Sequence, residues 1–314
     1  MFKENYSKDE KIKIAKQIKS ISIQDVDAEM NKLIELGRET GANLLTSISP
    51  RSQLGNNVVD YFTFIERLET RGKYDANYFE FISNIQEFKK KKFIQNMLNY
   101  YQEVKNKNNT KNEYKVFKEV YNICISAINI LRPLNWMEVY KKYGTQRALN
   151  FCTGWGGSAV AAAALNLVEF NGIEINTNLT HHYENMLSYL STKSNTKLNI
   201  HMCDALQFDY STIEYDTIFT SPPYYFIQKY SNNIKYESKK EMDETFYKPI
   251  FTLTYNGLKP GGHYLINVCK EVYDNVLKNL LGEAHEVFSL KKSKRQNDYN
   301  EIVYVWHKPK VSNI

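Results

Sequence analysis

Between residues 148 and 307, short apolar runs alternate with longer stretches of helical spacing, and few folds tolerate that order. Strands are predicted at 148–152, 170–175, 198–202, 217–219, 262–268, 286–290 and 302–307. Helices are predicted at 157–167, 178–190, 240–258 and 272–281. Strands with helices between them must run largely parallel, because a parallel neighbour needs a long crossover that a helix supplies. The last two strands have no convincing helix between them, so an antiparallel ending hairpin is expected. The fold class that follows is α/β, a mostly parallel sheet covered on both faces.

The first part of the chain reads differently. Apolar residues recur at three- and four-residue steps over 8–20, 25–39, 58–68 and 78–104, as amphipathic helices require. The stretch 41–57, with Ser49-Pro50 and Leu54-Gly55-Asn56-Asn57, reads as a loop, 105–112 as a linker, and 114–130 as a further helix. Two domains are expected: a helical one over 1–113, for nucleic-acid recognition or dimerisation, and a catalytic one over 114–314.

Composition narrows the class. The chain has 314 residues, a net charge of +6 and 24 tyrosines. A mild basic excess permits a nucleic-acid partner. Surplus tyrosine beside abundant Asn, Lys and Ile reads first as codon bias. There is no apolar run of membrane-spanning length and no signal-peptide core at the start, so a reducing intracellular compartment such as the cytoplasm is expected. Cys124, Cys152, Cys203 and Cys269 lie in apolar stretches without a C-x-x-C, which argues for reduced thiols and against zinc. No metal site is expected.

After the first strand comes Phe151-Cys152-Thr153-Gly154-Trp155-Gly156-Gly157, opening into a helix rich in alanine. Glycines there let the backbone turn sharply and approach a ligand, although a G-x-G-G loop fits a plain tight turn as well. Two acids add weight. Glu174 closes the second strand, where a carboxylate can accept ribose hydroxyls, and Asp204 follows the third, placed to accept from an adenine amine.

The fourth strand runs into Thr220-Ser221-Pro222-Pro223-Tyr224-Tyr225. Paired prolines hold the backbone extended and remove two donors, so nearby carbonyls stay available. The exocyclic amine of a nucleobase is a poor nucleophile, because its lone pair is conjugated into the ring. The Ser221 hydroxyl and a carbonyl of Ser221 or Pro222 can each accept one amine hydrogen, drawing the nitrogen toward tetrahedral geometry. Tyr224 offers a ring for a planar base to stack on.

At these residues the chain resembles the DNA amino-methyltransferases, which make N4-methylcytosine or N6-methyladenine. Their catalytic (D/N/S)-P-P-(Y/F) is matched by Ser221, Pro222, Pro223 and Tyr224. Their F-x-G-x-G is matched approximately by Phe151, Gly154 and Gly156. Leu258-Lys259-Pro260-Gly261-Gly262 is similar to the turn before the fifth strand. The resemblance spans about 130–307. It implies a Rossmann-like class I methyltransferase fold, S-adenosylmethionine as cofactor, and cofactor contacts at Phe151, Thr153, Gly154, Gly156, Glu174, Asp204 and Thr220. Ser at position 221 favours N4 of cytosine over N6 of adenine, and restriction–modification is one setting. A cytosine-C5 enzyme needs a Pro-Cys nucleophile, which this chain lacks. RNA or another planar amide as substrate, and a non-catalytic nucleic-acid-binding subunit, are the alternatives. With little chain after the last strand, recognition is expected from the helical region, a partner or a dimer mate, with Arg51, Arg67, Arg71 and the lysine run 89–92 as candidate contacts.

Overall fold

The computed structural model describes residues 2–39, 49–225, 234–291 and 301–310. Seven strands form one sheet: β1 (Arg147–Asn150), β2 (Glu169–Glu174), β3 (Lys197–Met202), β4 (Thr217–Thr220), β5 (His263–Asn267), β6 (Glu286–Ser289) and β7 (Ile302–His307). Their order is β3-β2-β1-β4-β5-β7-β6. The first five are parallel, and β7 lies antiparallel between β5 and β6. This is a Rossmann-like α/β sheet with an antiparallel strand near one edge. Every predicted strand is present, and the closing pair is antiparallel as expected.

The strands behave as their composition dictates. Leu149, Phe170, Ile173, Ile218, Phe219, Leu265 and Ile266 are fully buried, because helices cover both faces. Sequence order reverses between β1 and β4, and the crevice at such a reversal is where ligands bind in sheets of this kind. On one face the helix Gly157–Ala164 is buried along its whole length. Its small side chains let it approach β1 closely, and Trp136 beside it packs on Phe219 with ring centroids 4.4 Å apart.

Buried side chains fall into clusters that cross the sequence order. Val26, Met30 and Leu33 of helix Ile23–Arg38, with Val58 and Val59 of helix Asn56–Glu69, share a core with Trp136, Ala159–Ala164 and the sheet. Helix Glu113–Cys124 instead buries Phe117, Val120 and Tyr121 among Tyr78, Phe79, Phe81 and Phe88. Two early helices thus complete the core around the sheet, and a later one closes the helical cluster.

Local differences from the expected helices have physical causes. The segment 78–104 is broken into Tyr78–Ser83, Ile85–Lys89 and Lys92–Tyr100, followed by a π-helical turn, with Asn84 and Lys91 at the interruptions. The helix expected over 114–130 stops at Cys124. The amides of Ile125 and Ser126 both return to the Tyr121 carbonyl, and the carbonyl of Ile125 accepts from Lys73. A helix at Pro133–Lys142 was not predicted, although Pro133 at its first turn and Lys141 and Lys142 in its last are start and stop signals. Of the loop expected at 41–57, residues 41–48 lie outside the described residues, and helix begins at Asn56. Among the described residues no helix is long and apolar enough to cross a membrane.

Candidate active site at the carboxyl edge of the sheet

The loop after β1 is shaped from beneath. Gly154 and Gly156 take positive φ, 64° and 91°. At Gly156 a Cβ would lie 2.6 Å from Met186 Sδ, so the backbone sits on helix Thr180–Ser191 with no room for a side chain. At Gly154 a Cβ would meet only the Cys152 carbonyl, at 3.9 Å, which leaves open space beside the loop. The Tyr183 hydroxyl donates to the Gly154 carbonyl from below. Phe151, Thr153 and Thr220 turn their side chains into the protein. Phe151 packs on Phe251, Thr153 Oγ1 donates to the carbonyls of Asn150 and Ile173, and Thr220 Oγ1 donates to Asn150 Oδ1 at 2.7 Å. What these three give a ligand is the form of the loop.

Glu174 ends β2 and reaches under that loop. Its Oε2 accepts from the Gly154 amide at 2.8 Å and its Oε1 from the Asn176 amide at 2.9 Å. Burial pushes its carboxyl above the usual range, and those amides pull partly the other way. The Ile175 amide faces the same carboxylate, and the acceptor capacity left over is available to a ligand hydroxyl. Asp204, after β3, accepts from the Leu206 amide at 2.9 Å and is half-buried.

Sequence reasoning missed what supports this arrangement. Asn150, the buried last residue of β1, accepts from Thr220 and donates to Ser158 Oγ at 3.0 Å, which ties the first strand's loop to the fourth strand. From the N-terminal helix Asn56–Glu69, the Thr63 hydroxyl is shared between the Val59 carbonyl at 3.0 Å and the Trp155 carbonyl at 3.3 Å. Glu66 accepts from Asn176 at 3.0 Å and from Asn178 at 3.3 Å. The helical region therefore braces the glycine loop directly.

Across the switch point, Ser221-Pro222-Pro223-Tyr224 leaves β4 beside β5. Asn267, the last residue of β5, donates its amide to the Ile302 carbonyl at 2.8 Å, which turns its Oδ1 toward the loop. That oxygen accepts from Ser221 Oγ at 2.9 Å and from the Tyr224 hydroxyl at 2.6 Å. The Tyr224 hydroxyl also lies 3.1 Å from Glu301 Oε2. With its proton committed to Asn267, the Ser221 hydroxyl presents lone pairs to anything bound beside it. The Pro223 carbonyl accepts from the Tyr247 hydroxyl, which in turn accepts from the Tyr225 amide at 3.3 Å. Tyr225 holds a positive φ of 38°, an uncommon geometry for a residue with a side chain and one found disproportionately at functional sites. The carbonyls of Ser221 and Pro222 remain as acceptors on the loop.

Two candidate phosphate contacts are spent inside the protein. Arg67 is enclosed and paired with Asp60, and Arg71 is held by Glu80 and the Asp75 carbonyl. Both were expected at a surface, and burial of their acidic partners claims them for the fold. His181 is exposed on its helix, while His182 is half-buried, and burial holds its imidazole below the usual value. All four cysteines are free thiols. Among the described residues no group of three or more His, Cys, Asp or Glu could hold a metal ion.

No family model matches the chain, and no curated protein matches it. Among solved structures, TrmN from Thermus thermophilus aligns at 18% identity over 56% of this chain and 48% of its own, with a TM-score of 0.42. NSun6 from Pyrococcus horikoshii with SFG aligns at 13% identity over 58% and 53%, with a TM-score of 0.40. An rRNA methylase from Streptococcus thermophilus aligns at 15% over 58% and 99%, with a TM-score of 0.39. This chain spans about half the length of the first two.

Proposed function

We propose that the chain transfers a methyl group from S-adenosylmethionine to the exocyclic amine of a nucleic-acid base. The observation that carries the reading is the juxtaposition, across one sheet switch point, of a glycine loop over a half-buried Glu174 and a Ser-Pro-Pro-Tyr loop whose serine is held as an acceptor. The cofactor fits the residues present. Supporting this are the open space beside Gly154 and the acceptor capacity left on Glu174, which would take ribose hydroxyls, with half-buried Asp204 after β3 proposed to accept from the adenine amine. When bound, it supplies an electrophilic methyl on a sulfonium.

This chain's residues do the rest. Tyr224 provides the ring against which a base lies, and its hydroxyl is anchored to Asn267 so that the ring keeps one orientation. Ser221 Oγ and the Ser221 or Pro222 carbonyl each accept an amine hydrogen. The nitrogen lone pair is thereby released from conjugation and aimed at the methyl carbon. The N–CH3 bond forms as the S–CH3 bond breaks, sulfur keeps the electron pair, and the amine gives one proton to water. Acceptors fixed before the reaction stabilise the positive charge that develops on nitrogen. Asn267 is a positioning residue in this scheme, since it sets which way the Ser221 proton points.

DNA is the substrate we favour, with N4 of cytosine ahead of N6 of adenine, on the Ser-Pro-Pro-Tyr resemblance. The chain would be incubated with isotopically labelled cofactor and with duplex DNA, single-stranded DNA or RNA, and the digested nucleosides analysed by mass spectrometry. Labelled N4-methylcytosine from DNA is the expected product. Label confined to RNA would move the substrate class, and label on no nucleoside would end the reading.

A further inference from the structure

On the helical cluster, the turn 72–76 and the helix Lys92–Tyr100 bring lysines and aromatic rings together at the surface. Residues 73–107 carry seven lysines against four acids. Two of those acids are engaged already: Glu80 with Arg71, and Glu87 with Lys90. Lys73 Nζ lies 5.1 Å from the centre of the Tyr74 ring and 5.6 Å from that of Phe93, and Lys91 Nζ lies 4.5 Å from Tyr74. In the π-helical turn that follows the helix, Lys105 stands 5.7 Å from the Tyr100 ring. Phe93 is 44% exposed and Tyr100 43%, while Ile94 and Leu98 point into the cluster. A seven-residue step puts Phe93 and Tyr100 on one helix face about 10 Å apart.

The turn that presents Tyr74 is strained. Tyr74 and Asp75 both take left-handed φ, 65° and 52°, an uncommon geometry for residues with side chains. Neighbouring bonds hold them there. The Gly72 amide donates to the Ala76 carbonyl at 3.1 Å, the Lys73 amide to Ile125 at 3.2 Å, and Arg71 to the Asp75 carbonyl at 2.6 Å.

We propose that this lysine-flanked aromatic face, exposed Phe93 and Tyr100 with Lys73, the lysine run 89–92 and Lys105, docks a single strand of nucleic acid, half-buried Tyr74 holding Lys73 and Lys91 in place. Bases stack on exposed rings whatever their sequence, and lysines track the phosphates. A protein partner fits less well, because protein interfaces are depleted in lysine. The purpose of the platform, holding the strand that the carboxyl edge modifies, rests on the methyl-transfer reading. Its binding does not.

The test is fluorescence anisotropy of a labelled 20-nucleotide single strand with the full chain, without cofactor, across a range of potassium chloride. Replacing Lys73, Lys89 and Lys92 together with Gln is expected to reduce the slope of log affinity against log salt by about 2, at about 0.7 per phosphate contact on a single strand. The double variant Phe93→Ala/Tyr100→Ala is expected to weaken binding about tenfold or more with the slope unchanged. All five side chains lie on the surface, and a melting temperature close to wild type shows that each variant folds. Wild-type slope and affinity in both variants would overturn the proposal. So would equal binding of duplex, or self-association that the double variant abolishes. Lost binding in a chain that methylates nothing would keep the platform and sink the enzymatic reading; unchanged binding with methyl transfer intact would do the reverse.

Discussion

The two halves of the sheet's carboxyl edge are built by different means. On the side of β1, β2 and β3 the pocket is mostly backbone. Gly154 and Gly156 define its shape, half-buried Glu174 accepts from the Gly154 amide, and Tyr183, Thr63 and Glu66 brace it from two helices. On the side of β4 and β5 it is side chain. Ser221 and Tyr224 converge on one amide oxygen, that of Asn267, and Tyr247 closes the loop behind them. The contrast teaches that the first half is rigid because displacing it would unpack the core. The second is directional because two hydroxyl protons are committed to one acceptor.

The largest effect expected from breaking this division is on the second half. Ser221→Ala removes an acceptor that works only as charge develops, so turnover should fall by roughly two to three orders of magnitude while cofactor affinity stays within about twofold. Pro222→Ala should follow it in direction. Single-turnover rates beside cofactor titrations check this, and loss of cofactor binding in either variant would move these residues into the first half.

A smaller effect sharpens the other side. Glu174 accepts best as a carboxylate from the Gly154 and Asn176 amides, and on the proposed reading from ribose as well. Burial raises its pKa, so that form is lost, as pH falls, earlier than for an ordinary carboxylate. Cofactor affinity should therefore decline on acidification by about tenfold per pH unit below that raised value, and Glu174→Gln should flatten the profile. The group's effect on folding has the opposite sign: a folded-state pKa above the unfolded one stabilises at low pH and loses that contribution as pH rises. Acid loss of affinity without acid loss of structure would isolate the ligand role. Identical profiles for the variant and wild type would remove Glu174 from the site.

Much of the fold was legible because apolar runs and helical spacing are local signals. All seven strands follow from runs such as Tyr264-Leu265-Ile266, buried on both faces. The helix Pro133–Lys142 carried its signals at its ends and was passed over for the strand pattern beyond it. The site was legible where chemistry is written in adjacent residues, as at 221–224. Its supports were not, because Asn267 lies 46 residues from Ser221 and Glu66 lies 110 from Asn176, and only the fold joins them. A signal did exist: Asn150 and Asn267 each interrupt an apolar run at the carboxyl end of a strand, where a ligand-facing or loop-tying polar group belongs. The helical region was expected as a separate recognition unit, yet Thr63 reaches the glycine loop and Glu66 the turn after β2, because amphipathic spacing reveals a buried face without naming what covers it.

The most direct test of the account is calorimetric titration of S-adenosylmethionine into the purified chain and its Asp204→Ala variant. One site per chain is expected in the wild type, with affinity lower by about tenfold or more in the variant, as loss of a hydrogen bond to a carboxylate implies. Absence of binding to the wild type would contradict a methyl-transfer site at this edge and leave a protein that keeps the fold for another purpose.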